Sequence, residues 1–193
     1  MTFITDFADQ AVILPVVLAI GIGMLLQGWR RGAVAWGLAV AATFGGMLVL
    51  KLLFLACPAS LGVLDLRTPS GHVAAATVVS GGLAALLLRR RRLGLLVAAA
   101  AAVVIGATRL ALGVHSPAEV AVGAAIGLAG AWALMVLAGR PPPGLDARRI
   151  VIPALVVALV LHGVHLPAEA HIRDAASRFA QAFGVCQSVE PRM

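Results

Sequence analysis

The sequence contains no tyrosine, a single lysine (Lys51), two cysteines and eight acidic residues among 193. Only 12% of its residues are charged, 61% are hydrophobic, and the mean hydropathy is +1.01. A soluble domain has roughly half its residues apolar and about a quarter charged. The scarcity of charge therefore excludes a disordered chain and an ordinary cytosolic enzyme. Cys57 and Cys186 are too few for a disulfide framework or a zinc site. The opening residues include Asp6 and Asp9 but no basic stretch, which speaks against a cleavable signal peptide.

What fills the chain instead is apolar. Six runs, at about 11–27, 33–57, 69–88, 93–113, 117–139 and 149–165, are rich in Ala, Leu, Val and Gly. A span needs about 20 such residues, with a lower limit near 17, so the first and last runs are short. In lipid every backbone polar group must be paired internally, and runs this long and continuous imply helices. Gly123, Gly127 and Gly130 are spaced to let helices approach closely. The chain is thus expected to be all-α. Residues 1–165 form a six-transmembrane-helix bundle. Residues 166–193 form a tail in which Ile172, Ala175, Ala176, Phe179, Ala182 and Phe183 recur at helical spacing. That tail predicts a C-terminal amphipathic surface helix, with a lid as the alternative.

The net charge of +7 would suggest nucleic acid in a soluble protein. Here nine arginines fall in alternate connections: Arg30 and Arg31, Arg89 to Arg92, then Arg140, Arg148 and Arg149. The other side offers Arg67 and little else. The positive-inside rule places the first set in the cytoplasm and both termini outside, with no nucleic-acid role. Trp29, beside the first basic connection, fits an interfacial anchor.

Ionisable side chains inside spans cost about 2.5–3.5 kcal/mol each on insertion scales. Lys51, His72, Arg109 and Glu119 all fall near the outer ends of four different runs, with His115 beside them. Independent snorkelling would scatter them over both faces. Residues 68–72, Thr-Pro-Ser-Gly-His, read as a helix start with Thr68 as N-cap and Pro69 at the first position. A helix start presents free N–H groups to an anion, and Gly71 permits close approach. His115 and Glu119, four apart, share one helix face, so the carboxylate can hold the imidazole. Ser116, Pro117 and Glu119 equally read as a capping box. His162, His165 and His171 read as surface histidines.

At these residues the sequence resembles the integral-membrane type 2 phosphatidic acid phosphatases, also called lipid phosphate phosphatases, which are related to vanadium haloperoxidases. Their motifs are K-x(6)-R-P, P-S-G-H and S-R-x(5)-H-x(3)-D. The second is intact as Pro69, Ser70, Gly71, His72. The third appears as Thr108, Arg109, His115, Glu119, with Thr for Ser and Glu for Asp. The first keeps Lys51 but has Pro58 and Ala59 where the family has Arg and Pro. Arg67 is a candidate for the missing guanidinium.

The resemblance implies a membrane phosphatase acting on a lipid phosphate or diphosphate, polyprenyl diphosphate or a glycerophospholipid phosphate among them. It makes His115 the nucleophile that forms a phosphohistidine, Glu119 its orienting carboxylate and His72 the acid and base. Lys51, Arg109 and Arg67, with the N–H groups of Ser70 and Gly71, would clamp the phosphate. A transferring phosphoryl group spreads charge over three oxygens, so fixed cations can stabilise it. No cofactor and no metal site are expected. The substrate head group at the bilayer surface suggests an inner-membrane protein with a periplasmic site. The alternative is an impaired relative that binds lipid or joins a complex, as a homo-oligomer or with a membrane partner. A Cys57–Cys186 disulfide stays open.

Overall fold

The computed structural model describes residues 2–56, 67–88 and 90–183. Cys57, Pro58, Ala59 and Cys186 lie outside them, so the disulfide and the altered part of the first motif do too. Among the described residues there are helices and no strands. They are α1 (Thr2–Asp6), α2 (Gln10–Leu26), α3 (Arg30–Ala56), α4 (Gly71–Leu88), α5 (Arg91–Ala111), α6 (Pro117–Leu137), α7 (Arg148–Val160) and α8 (Ala168–Phe183). Four of them, α3 to α6, are long and apolar enough to cross a membrane. Helix α2 is apolar with 17 residues, and α7 has 13. At 1.5 Å per residue α7 reaches about 20 Å, short of a ~30 Å hydrocarbon core. The predicted run to 165 ends early because the chain turns at Gly163, whose φ is +82°.

The packing suits a lipid solvent. Large apolar side chains point outward, Leu26 at 83% exposure and Val103 at 70%. A water-facing protein of this size does not display so much contiguous apolar surface. The interior is built largely from small residues. Helix α4 packs on α5 and α6, α6 on α3, and α2 on α7. A methyl added at Gly127 would lie 2.7 Å from the Ala74 carbonyl oxygen. Gly130 meets the Thr43 hydroxyl, and Gly123 meets the Ser70 carbonyl. The predicted glycine contacts are therefore the seams that seat α6 against α4 and α3.

Two buried aromatic residues sit toward the arginine-rich end. Trp36 donates its indole N–H to the Val17 carbonyl at 2.9 Å, pinning α3 to α2. Trp29 was expected to be an interfacial anchor, but it is only 4% exposed and belongs to the core. The close turn at Gly28, with φ +77°, folds it inward.

Candidate active site

The segment from Arg109 to Glu119 folds from local rules alone. Gly113 takes φ +66° after α5. Its N–H donates to Leu110 O and that of Val114 to Arg109 O, a pair of bonds that closes a helix C-terminus. His115 follows at once, then Ser116 caps α6, Pro117 opens it, and Glu119 returns a bond to the Ser116 N–H. Arg109 and His115 therefore flank one tight turn.

The two readings of Glu119 prove to be one structure. Its Oε2 accepts from Ser116 N at 3.1 Å and pairs with His115 Nδ1 at 2.8 Å. Its Oε1 accepts from the main-chain N–H groups of Arg67 at 2.8 Å and Thr68 at 2.6 Å. One buried carboxylate thus caps its own helix, holds the imidazole through Nδ1, and draws in the chain that precedes α4. His115 Nε2 has no hydrogen-bond partner among the described residues.

That pull corrects the predicted helix start. Residues 67–70 are not helical, and α4 begins at Gly71 rather than Pro69. Thr68 is accordingly not the cap. Ser70 occupies that position, since its carbonyl accepts from Ala74 N–H at 3.2 Å. Its own N–H, expected from the sequence to bind phosphate, instead donates to the Glu119 carbonyl at 3.1 Å. The Ser70 hydroxyl, however, is fully buried and has no partner among the described residues. A serine at this position normally caps the helix with that oxygen. The guanidinium Nε of Arg109 is likewise buried, with no partner among the described residues. Thr108 donates its hydroxyl to Ile105 O at 2.7 Å.

Lys51 and His72 meet at a cavity of about 340 Å³ together with Gly71. Lys51 is only 2% exposed, and its Cε and Nζ lie 3.6 Å from where a Gly71 methyl would stand. Away from them the wall turns apolar, with Leu14, Phe44, Met47 and Leu48. His115 and Arg109 do not line this cavity. His115 is joined to the start of α4 through Glu119, whose carbonyl accepts from Ser70 N–H, and the Arg109 charge acts on His72. Arg67 is exposed, and it reaches the cluster through its main-chain N–H.

Three residues escaped the sequence reading. Glu169, in the first turn of α8, forms an ion pair with Lys51, and α8 packs on α3. His171 borders the same cavity. Asp9, the cap of α2, has Oδ2 4.0 Å from His72 Nε2. Glu169 and Asp9 are distant in sequence from their partners, and nothing in a linear pattern connects them. Among the described residues no three His, Cys, Asp or Glu side chains are grouped as metal ligands.

The long apolar helices define a membrane-spanning class of protein. The chain belongs to the PAP2 superfamily, whose pattern matches residues 10–141. That membership indicates phosphatase chemistry on phosphate esters. No curated protein and no solved structure matches the chain.

Proposed function

We propose that the chain hydrolyses a lipid phosphate or diphosphate through a phosphohistidine on His115. The observation that carries this is a pair of buried donors without partners among the described residues, Ser70 Oγ and Arg109 Nε, on segments tied by backbone bonds to Glu119 and to the turn before His115, whose imidazole a carboxylate already holds. Burying such groups without partners costs about 1–3 kcal/mol each, more for a charge. A phosphoryl oxygen supplies the missing acceptor.

In the first step His115 Nε2 attacks phosphorus, and the bond from phosphorus to the leaving oxygen breaks. His72 gives that oxygen its proton. Glu119 steadies the charge that develops on His115, as the acid does in a catalytic triad. In the second step water attacks phosphorus, the P–N bond breaks, and His72 takes the proton from water. The sum is ester plus water giving alcohol plus orthophosphate. Lys51 and Arg109, with the Gly71 N–H, balance the oxygens in flight once phosphate has displaced Glu169 from Lys51. The apolar wall of Leu14, Phe44, Met47 and Leu48 suits the start of a lipid tail.

Alternation of helices puts the clustered arginines at one end and the site at the other. With α2 and α7 as further, shorter crossings, six spans leave both termini on the site's side. The positive-inside rule then makes that side periplasmic in an inner membrane. The second reading, an impaired relative that binds lipid or a membrane partner, draws on Pro58 replacing the family arginine and on Glu169 occupying Lys51.

The deciding measurement is phosphate release from a panel of lipid phosphates by the purified protein, with and without chelator. We expect turnover in both, an acid-labile phosphoenzyme, and a loss of at least about 10³-fold in His115→Ala. No release by the wild type from any member overturns the phosphatase reading in favour of the second. Release that persists in His115→Ala overturns the phosphohistidine.

A further inference from the structure

We propose that Asp9 is a positioning residue for His72, the anion that holds this imidazole for proton transfer. The inference rests on the phosphatase reading above, and Asp9 lies outside the segment the family pattern matches.

Asp9 is itself held firmly. Its carbonyl accepts from Val12 and Ile13 N–H, and its own N–H donates to Asp6 O. Its Oδ1 accepts from Ala11 N at 2.9 Å, capping α2, and from Leu166 N at 3.4 Å, in the connection between α7 and α8. Both bonds fall on one oxygen, so the other is left facing His72 Nε2 at 4.0 Å. The two side chains are only 11% and 18% exposed, so little water screens them. Capping needs a single acceptor, which Asn or Ser supplies as well as Asp. The charge and the second oxygen are surplus to that role.

The distance fits a positioning role. A hydrogen bond to nitrogen closes at about 2.7–3.2 Å. At 4.0 Å the carboxylate attracts the ring without taking its proton. That proton stays available for the leaving oxygen. The charges around His72 are Arg109 from α5 and Lys51 from α3, both positive, with Asp9 and Glu169 from α8 as the anions. Phosphate that docks on Lys51 removes Glu169 from that set. Among the described residues Asp9, fixed by backbone contacts, is then the anion that remains beside the imidazolium.

The test compares two substrates by kcat/KM, which reports steps up to departure of the leaving group. Phosphatidate leaves an alkyl alcohol that needs a proton, whereas p-nitrophenyl phosphate leaves a stable phenolate that does not. General acids contribute about 10²–10⁴-fold. Losing the residue that orients one should lower kcat/KM for phosphatidate about 10–100-fold in Asp9→Asn, with p-nitrophenyl phosphate changed less than about 3-fold. Asp9→Ser, which keeps the cap but cannot reach His72, should match it. Melting temperatures identify any variant that fails to fold, and the other variant then decides. Equal losses on both substrates, or no loss on phosphatidate, overturn the assignment and leave the phosphatase reading standing. Where another lipid phosphate of the panel is the better substrate it takes the place of phosphatidate, and a wild type inactive on every member overturns that reading and this assignment with it.

Discussion

Glu119 takes the place of an aspartate in the family motif, and the structure gives a reason for its longer arm. The carboxylate serves four donors at once: His115, the Ser116 N–H, and the N–H groups of Arg67 and Thr68. An aspartate on the same backbone falls short of the N–H groups of residues 67 and 68 if it keeps His115, or of His115 if it keeps those N–H groups. Glu119→Asp restores the family residue, yet we expect it to lower turnover about 100-fold, the usual result of misplacing a reacting group by about 1 Å. Phosphate release at saturating substrate checks this, and wild-type turnover in Glu119→Asp would refute the four-donor argument. The spacing of His115 and Glu119 was fully legible in the sequence, because both lie within one turn. The bonds to residues 67 and 68 were not, because they cross about fifty positions.

Among the elements, α8 changes its meaning most. Its apolar spacing suggested a surface helix, with a lid as the alternative. Its first turn brings Glu169 to Lys51 and His171 to the same cavity, so this largely exposed helix also reaches the site. The Glu169 side chain is 42% exposed, and solvent reduces such a pair to about 1 kcal/mol. Glu169→Gln should therefore lower KM about five-fold with kcat little changed, as steady-state kinetics will show. An unchanged KM would mean that the pair does not compete with phosphate. The seam between α6 and α4 offers a second prediction. At Gly123, four residues and about one turn after Glu119, α6 meets the carbonyl of Ser70. Gly123→Ala forces these helices apart, costs about 1–3 kcal/mol by overpacking, and should reduce turnover more than ten-fold by shifting Glu119 from Ser70. Thermal unfolding and turnover measured together separate the two effects.

Across the whole molecule, the N-terminal segment meets the connection between α7 and α8 beside the site. His162 bonds the Phe3 carbonyl at 2.9 Å and stacks near Phe3 and Phe7, and His165 bonds Asp6 at 3.1 Å. Leu166 reaches Asp9. These histidines, read from sequence as surface residues, tie the connection after α7 to the N-terminal segment. The Asp6 carboxylate raises the pKa of the exposed His165 above its ordinary value of 6.5. A raised folded-state pKa means the pair stabilises fully below the unfolded value of about 6.5 and fades as pH rises through the folded one. The difference in melting temperature between wild type and Asp6→Asn should thus be larger at pH 5.5 than at pH 8.5. Equal differences at both values would show that the tie does not depend on imidazole charge.

The sequence by itself determined the helical class, the apolar faces, the PAP2 resemblance and the local turn that joins Arg109 to Glu119. Each of these depends on composition, on helical period or on neighbours within a few residues. Only the tertiary structure decided that α4 starts at Gly71, that the Ser70 hydroxyl rather than its N–H stays unpaired, and that Asp9 and Glu169 face His72 and Lys51. Those outcomes depend on which helix ends converge. That is set by the glycine seams between helices packed in three dimensions, and no short-range pattern records it.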